Sequence, residues 1–459
     1  MKNDLNSKWD QLSVHIESLM KTHNIPGVSI GIYKSGEFLT TGFGVTSVDN
    51  PLPVTDKTLF QIGSITKTFT CTVIMRLVEL GKLDLDAPIR SYYPEFKVSD
   101  EETSSKISIY HLLTHTAGWL GDFFIGTGSG EDAMAKYASR MSELDQVSPL
   151  GSNVSYNNSG FYLLGYLIEL VSGKSYEETL NELVLEPLGL IDCLLEPSQV
   201  MVNRFSVGHR VTDGIAEVAV PWALPRAAYP AGGLTSNVND LLKYSKFHID
   251  GGKTHNGDQI LNVKTVEKMQ TPQETIWADK ELVGLSWFIN NEDGKKIILH
   301  GGGTVGQVST LQFIPEDEFA FAILTNSNSG GQLITSVRKW ILKEYAGVEI
   351  EDPKPIDIPI EKKKECEGRY VLPRLGYTDI RVLGGKLIAQ DVSLGGFPTE
   401  DTPPVPTPPP YTLEYIENDR LIVVDGPFKN VKYDIFRDKN GAVKWLRGAG
   451  RIQNREPMP

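Results

Sequence analysis

The spacing of apolar residues changes after Tyr345, and no other feature of the sequence constrains the fold as strongly. Before that residue, helical spacing such as that of Leu12 and Ile16 is interspersed with strand-like runs such as residues 28–32. A proline-rich stretch over 352–359 follows, and beyond it short β-branched runs are separated by glycine, asparagine and aspartate turns. The chain therefore predicts two parts of different structural class, joined by a stiff linker.

The first part predicts an α/β (α+β) domain over residues 1–350, because strand patterns lie near both of its ends and helix patterns fill the middle. A hairpin near its start and strands close to its end are expected to form one antiparallel sheet flanked by helices, beside an all-helical region. Residues 351–365 are interpreted as the linker and residues 366–459 as a small all-β barrel. The length of 459 residues agrees, since one domain usually has about 100–200 residues.

Charge and hydropathy argue against several classes of partner. The formal net charge is −13, and the one basic run, Lys362-Lys363-Lys364, is flanked by glutamates as in a solvated linker, which argues against a nucleic-acid partner. No run of about 18 apolar residues predicts a membrane span, and residues 1–20 lack the apolar core of a secretory signal. We expect a cytoplasmic protein, or a mature form whose leader is absent, with a small-molecule or peptide substrate as partner; a homo-oligomer stays open.

The three cysteines predict neither disulfides nor a metal site. Cys71, Cys193 and Cys366 lie far apart, and none has the spacing of a metal-ligand pair. We interpret them as buried free thiols and expect no metal or other cofactor. His111 and His115 stand four apart on a predicted helix, but they lack the glutamate of a zinc-protease motif, so helix packing is favoured over a zinc pair.

Ser64 and Lys67 are the strongest candidates for catalysis. The motif Ser64-Ile65-Thr66-Lys67 opens a predicted helix over 64–80, so the two side chains lie almost one turn apart on one face. A serine hydroxyl becomes nucleophilic when a base removes its proton, and a lysine in a partly dry pocket can provide that base. The helix N-terminus adds N–H groups that favour a developing oxyanion. An N-cap serine with a surface lysine is the alternative interpretation.

A second candidate motif is Tyr156-Asn157-Asn158, in a loop before a helix predicted at about 158–172. A phenol beside a lysine can carry a proton between the nucleophile and the leaving group. The Asn158 amide can hold both a lysine and a substrate carbonyl. Considered alone, the motif also fits an aromatic residue at a helix entry with Asn158 as the N-cap.

A third candidate is His300-Gly301-Gly302-Gly303, directly after an apolar predicted strand. Glycines there allow a ligand or another backbone segment to approach the strand edge closely, so that a main-chain N–H can point into a site. A glycine-rich turn with a hydrogen-bonded histidine is the alternative.

Taken together and in this order, the three motifs resemble those of the serine β-lactamase and penicillin-binding-protein superfamily. The resemblance is closest to the branch with class C β-lactamases, D-aminopeptidases, related carboxylesterases and β-lactamase-like hydrolases, and it covers roughly residues 10–345. It implies a β-lactamase/transpeptidase-like fold for the first domain. The C-terminal part resembles the lipocalin-like domains attached to some peptidases of this branch, where it would shield a cleft, mediate assembly or only add stability.

The resemblance implies roles for the catalytic groups. Ser64 would be the nucleophile, Lys67 its base or the partner that orients the base, and Tyr156 the proton relay to the leaving group. The oxyanion hole would consist of the N–H groups of Ser64 and Gly303.

The resemblance assigns substrate contacts to Asn158, His300 and Gly302. His300 stands where many β-lactamases have the lysine of a Lys-Thr-Gly motif, which departs from the family pattern. A lysine there is a permanent cation that binds a substrate carboxylate, whereas a histidine with a pKa of about 6.5 is mostly neutral at pH 7. We therefore expect a peptidase or esterase that acts through an acyl-enzyme, with at most modest β-lactamase activity. The alternatives are a true class C-like β-lactamase and a non-catalytic protein that binds peptides or cell-wall fragments.

Overall fold

The computed structural model describes residues 2–426 and 428–458, with side chains from residue 7 onward. Met1 and Pro459, the outermost residues of the two predicted domains, therefore lie outside the described residues. The chain divides into two compact units, each assembled from three segments. The first unit comprises Met1–Ala87, Gly128–Ala135 and Phe161–Ile350, and the second comprises Pro88–Thr127, Lys136–Gly160 and Glu351–Pro459. The domain boundaries expected from the sequence stay a prediction.

The helices and strands follow the order of the predicted patterns. The α-helices of the described residues are α1 (Lys2–His23), α2 (Thr66–Glu79), α3 (Glu101–Lys106), α4 (Ile109–Leu113), α5 (Ala133–Arg140), α6 (Asn158–Ser172), α7 (Tyr176–Leu180), α8 (Glu186–Leu188), α9 (Pro197–Val200), α10 (Tyr229–Gly232), α11 (Val238–Ile249), α12 (Val263–Met269), α13 (Gly330–Ile341) and α14 (Ile360–Lys364). The strands are β1 (Gly27–Lys34), β2 (Glu37–Gly44), β3 (Phe60–Gln61), β4 (His209–Thr212), β5 (Ile215–Val218), β6 (Thr235–Ser236), β7 (Glu274–Trp277), β8 (Glu281–Val283), β9 (Phe288–Glu292), β10 (Lys295–Gly303), β11 (Val308–Ile314), β12 (Phe319–Thr325), β13 (Gly368–Leu372), β14 (Gly376–Leu383), β15 (Lys386–Ser393), β16 (Tyr411–Glu417), β17 (Arg420–Val423), β18 (Lys432–Arg437), β19 (Val443–Gly448) and β20 (Arg451–Glu456).

One antiparallel sheet organises the first unit. Its strand order is β2-β1-β12-β11-β10-β9-β8-β7. The N-terminal hairpin of β1 and β2 joins the strands of the last third of the unit, because β1 pairs with β12 with Val28 opposite Thr325. This pairing confirms the predicted sheet built from both ends of the sequence region.

The two faces of the sheet pack against different helices. On β1, the alternate residues Val28, Ile30 and Ile32 are buried in one apolar cluster with side chains of α1 and α13. Gly31 points to the opposite face, where a Cβ would lie 2.8 Å from Leu242 Cδ1 of α11. Because helices cover both faces, the strand reads as an almost continuous apolar run.

The second unit contains a closed eight-stranded barrel, β13 to β20, in which consecutive strands are antiparallel and β20 returns to pair with β13. Its interior is filled by the protein's own side chains, as expected for eight strands. Tyr370, Tyr411 and Tyr433 are buried there, and the hydroxyls of Tyr411 and Tyr433 lie 2.7 Å apart. The barrel confirms the predicted all-β fold of the C-terminal part.

Candidate active site

Ser64 lies in a tight 3-10 turn, Gly63–Ile65, that leads directly into α2. The predicted helix thus begins with this turn, because Gly63 has a φ of +52°, a backbone conformation that glycine tolerates and a helix does not contain. The Thr66 hydroxyl donates to the Gly63 carbonyl (2.7 Å) and accepts from the Leu234 N–H (3.1 Å), which braces the turn. Ser64 itself stays partly exposed.

The Lys67 amine is held beside the Ser64 hydroxyl. Lys67 lies in the first turn of α2 with no exposed surface, and its Nζ is 3.0 Å from Ser64 Oγ. The same nitrogen donates to the Ala231 carbonyl at 2.6 Å and lies 5.4 Å from the centroid of the Phe161 ring. The Lys67 amine is therefore held between the Ala231 carbonyl and the Ser64 hydroxyl. The alternative of a surface lysine is therefore wrong.

The glycine-rich end of β10 approaches the Ser64 turn through a strand edge. Pairing with β9 ends at Leu299, whereas pairing with β11 continues to Gly303. The Thr304 N–H donates to the Gln307 carbonyl at 3.0 Å, so the neighbouring pair of Gly303 and Val308 is not hydrogen-bonded, and the Gly303 N–H points away from β11. On that side a Cβ on Gly63 would lie 2.6 Å from the Gly303 nitrogen.

Gly302 explains how closely the turn and strand meet. A Cβ at this position would lie 1.9 Å from the Ile62 carbonyl oxygen and 2.6 Å from Ser309 Oγ. The group that approaches Gly302 is thus the backbone before Ser64. Its predicted contact with substrate stays a prediction.

His300 is buried on β10, near Lys67 but without a titration close to neutral pH. Its side chain is 1% exposed, and the ring Nδ1 donates to the Gly301 carbonyl at 2.6 Å. Burial, together with the nearby Lys67 charge, lowers the pKa of His300 to about 3. The imidazole is therefore neutral at pH 7, as the comparison of histidine with lysine led us to expect.

Tyr156 and Asn158 belong to the second unit. Asn157, between them, is the N-cap of α6, because its buried Oδ1 accepts from the Gly160 N–H at 2.8 Å and from Ser159 Oγ at 2.9 Å. The alternative that Asn158 caps the helix is therefore wrong by one residue. The Asn158 amide is directed elsewhere and donates to Asp122 Oδ1 at 2.5 Å.

His115 holds the backbone on both sides of Tyr156. Its carbonyl accepts from the Ser155 N–H at 2.8 Å, and its Nδ1 accepts from the Asn157 N–H at 3.1 Å. The two rings of His115 and Tyr156 have centroids 4.6 Å apart. His111 instead completes a capping box with Ser108 at the start of α4. Both histidines thus organise the backbone, which is the packing role favoured from the sequence.

Asp122 and Arg451 were not identified from the sequence, although both contact the Tyr156 region. The Arg451 guanidinium carbon lies 4.7 Å from the centroid of the Tyr156 ring, and its Nε is 2.9 Å from Asp122 Oδ2. Asp122 follows a glycine-containing turn after the predicted helix of His111 and His115, which is a weak local signal. No spacing rule links residue 451 to residue 156.

Other predictions concern residues outside this region. The cysteines Cys71, Cys193 and Cys366 are free and buried, as predicted. Burial raises the pKa of each of these thiols. Within the described part of the chain, no helix has the length and apolar character needed to cross a membrane.

Comparison with known proteins agrees with this fold over most of the chain. Penicillin-binding protein 4 from Amycolatopsis lactamdurans is 29% identical over 372 residues, which cover 77% of this chain and 96% of that protein. The crystal structure of SurE is similar with a TM-score of 0.76 and 24% identity, and it covers 99% of this chain and 100% of that chain. The octameric penicillin-binding protein homologue from Pyrococcus abyssi has a TM-score of 0.66 and 27% identity, covering 97% and 99%.

The sheet with its helices and the match to these relatives make the chain a member of the β-lactamase and penicillin-binding-protein-like serine hydrolase superfamily. Within it, the family model described as Beta-lactamase matches residues 12–343, and the chain belongs to that family.

Proposed function

We propose that the protein hydrolyses amide or ester bonds through an acyl-enzyme on Ser64, with at most modest β-lactamase activity. The observation that carries the proposal is the buried Lys67 amine 3.0 Å from the partly exposed Ser64 hydroxyl. A lysine is almost never fully buried without a function or a partner that repays its desolvation. Here its polar contacts include the partly exposed Ser64 hydroxyl.

In the proposed acylation, Ser64 Oγ attacks the substrate carbonyl while the Lys67 amine, once it has lost its own proton, takes the hydroxyl proton. The N–H groups of Ser64 and Gly303 stabilise the resulting oxyanion, since the Gly303 N–H points toward the turn that carries Ser64. Tyr156 gives a proton to the leaving nitrogen or oxygen as its bond to carbon breaks, and the Lys67 ammonium then reprotonates the phenolate. In deacylation, a water molecule attacks the Ser64 ester and gives one proton to Lys67. The ester bond breaks, the acid leaves with the water hydroxyl, and Lys67 passes the proton back to Ser64 Oγ. The role of Tyr156 rests on the motif resemblance.

The neutral His300 supports the preference for amides and esters over β-lactams. A permanent cation at this point of β10 would attract the carboxylate that penicillins carry, and a ring with a pKa of about 3 provides none at pH 7. Asn158 and Gly302 complete the proposed substrate contacts. A class C-like β-lactamase would instead turn over nitrocefin faster than p-nitrophenyl esters or D-amino-acid p-nitroanilides when all are compared at equal concentration.

Covalent labelling tests the proposal directly. A fluorophosphonate is expected to add one label to the wild-type chain, located at Ser64 by peptide mass spectrometry, and to leave Ser64→Ala unlabelled. Ser159→Ala is a suitable control because that hydroxyl is buried and bonded to Asn157. An unlabelled wild-type chain without turnover of any of the three substrates would favour the non-catalytic binding protein.

We also propose a homo-oligomer, since a solved homologue of 27% identity is described as octameric. Light scattering after size-exclusion chromatography tests this proposal, and a mass of one chain at micromolar concentration would contradict it.

A further inference from the structure

The last hairpin of the barrel, which consists of β19, residues 449–450 and β20, is bonded to three successive residues of the Tyr156 loop. The Arg447 Nη1 donates to the Val154 carbonyl at 3.1 Å. The Ile452 N–H donates to Ser155 Oγ at 3.1 Å. The Tyr156 N–H donates to the Gly450 carbonyl at 2.7 Å. Two of these bonds reach the loop backbone and one reaches the Ser155 side chain, so three directional contacts hold consecutive loop residues against the hairpin.

The tip of this hairpin is shaped to sit against Tyr156. Its two central residues, Ala449 and Gly450, both have positive φ values, +46° and +79°, as in the tight turns that suit twisted strands. A Cβ on Gly450 would lie 3.5 Å from the Tyr156 Cβ. The backbone of the tip therefore reaches the tyrosine without a side chain between them.

Two side chains continue the contact to Asn158. Arg451, the first residue of β20, places its guanidinium carbon 4.7 Å from the Tyr156 ring centroid and its Nε 2.9 Å from Asp122 Oδ2. The other Asp122 oxygen accepts from the Asn158 amide. The side chain of Asp122 is only 10% exposed and that of Arg451 27%, so water screens this pair weakly. One ion pair thus links the tyrosine and the asparagine of the Tyr-x-Asn motif.

We propose that the last hairpin positions the Tyr156 loop for the reaction, with Arg451 and Asp122 as positioning residues. This inference rests on the proposed function, because the hairpin matters for the reaction only if Tyr156 transfers a proton there. The hairpin itself transfers no proton. The barrel then contributes to catalysis indirectly, because its last hairpin contacts one side of the loop that carries Tyr156 and Asn158. If the barrel only added stability, loss of the hairpin contacts would not change the conformation of the Tyr156 loop.

The first test measures local mobility and needs no activity. In the full-length variants Arg451→Gln and Asp122→Asn, amide hydrogen exchange of residues 154–159 is expected to become about tenfold faster, since local opening follows the loss of bonds that close the loop. Arg369→Gln is a matched control: its Nε lies 2.7 Å from Asp379 and its guanidinium carbon 3.7 Å from the Tyr377 ring, elsewhere in the barrel. The control is expected to leave exchange of residues 154–159 unchanged.

The second test measures catalysis with a p-nitrophenyl ester. Arg451→Gln and Asp122→Asn are expected to lower kcat by about 10- to 100-fold with KM within about threefold, because misplaced proton-transfer groups weaken the transition state more than substrate binding. Arg451→Lys keeps the charge without the planar fork and should recover part of kcat. Labelling of Ser64 by a fluorophosphonate should persist in all three variants.

Three results would overturn the inference: exchange equal to that of the Arg369→Gln control, faster exchange with unchanged kcat, or faster exchange spread over the whole barrel at a lowered melting temperature. A wild-type chain that neither labels at Ser64 nor turns over substrate would contradict the proposed function instead. In that case the exchange measurement still decides whether the hairpin holds the loop.

Discussion

Burial gives His300 a charge state that an exposed histidine does not have at mildly acidic pH. The His300 side chain is buried on β10, and the centroids of the His300 and Phe288 rings lie 5.3 Å apart. The Lys67 charge lies nearby. Both the low dielectric and the cation disfavour the imidazolium, so the pKa falls to about 3. The imidazole at this position is therefore neutral at mildly acidic and neutral pH.

The pH dependence of catalysis tests this charge state. Since the His300 pKa is lowered to about 3, the ring does not titrate between pH 5 and 8. The acid limb of the kcat/KM profile for an ester is thus expected to have the same apparent pKa in wild type and in His300→Gln. A limb that moves by more than about half a unit in the variant would show that His300 titrates in the working range.

At the scale of elements, a strand and a helix start meet without side chains between them. The end of β10 and the turn before α2 come together at Gly63 and Gly302, where added Cβ atoms would lie 2.6 Å and 1.9 Å from backbone atoms. The close approach brings the outward-pointing Gly303 N–H to the Ser64 turn. Glycine is required here by contact between two backbones, which local propensity does not reveal.

Alanine substitution at Gly302 and Gly301 tests whether glycine is needed for the close approach of the two backbones or only for backbone flexibility. Gly302→Ala is expected to lower kcat/KM about 100-fold and to destabilise the fold by about 1–3 kcal/mol, because the turn must move away from the strand. Gly301→Ala is the control, since its nearest contact would be the Ser309 carbonyl oxygen at 3.6 Å, an ordinary distance. Urea unfolding and ester hydrolysis measure the two effects. Equal activity of the two variants would contradict the need for close backbone approach between Gly302 and the turn that carries Ser64.

At the scale of the whole molecule, buried histidines couple stability to pH. His248 is enclosed by the rings of Tyr244, Trp287 and Phe313, and neither of its ring nitrogens has a hydrogen-bond partner among the described residues. Burial lowers the pKa of His248 to about 3, as it does for His300. The unfolded chain takes up protons at these positions near pH 6.5, whereas the folded chain cannot do so until about pH 3.

Stability is therefore expected to be complete above pH 6.5 and to be lost as the pH falls toward 3. Each of the two histidines contributes a slope of up to about 1.4 kcal/mol per pH unit to the free energy of unfolding. In His248→Met, which keeps an apolar side chain among the rings, urea titrations between pH 7 and 5 should show a shallower decline than in wild type. Parallel declines in the two proteins would contradict the assigned low pKa of His248.

The sequence by itself determined the two structural classes, the antiparallel sheet and the barrel, because these follow from the period of apolar residues along each segment. It also identified the ordered motifs of Ser64, Lys67, Tyr156 and His300, because each motif is local and its chemistry depends on residue type. The N-cap at Asn157 was misplaced by one residue, since neighbouring asparagines have the same propensity and only the direction of their side chains distinguishes them.

Only the tertiary structure determined the burial, the charge state and the long-range contacts of the residues in those motifs. The burial of Lys67, the neutral ring of His300 and the contact of Arg451 with Tyr156 all join residues that are distant in sequence or depend on the surrounding dielectric. Gly450 and Tyr156 are bonded across 294 residues of chain, and no local pattern records such a pairing. Desolvation and long-range backbone contact arise when the chain folds, so these properties belong to the fold and not to any segment.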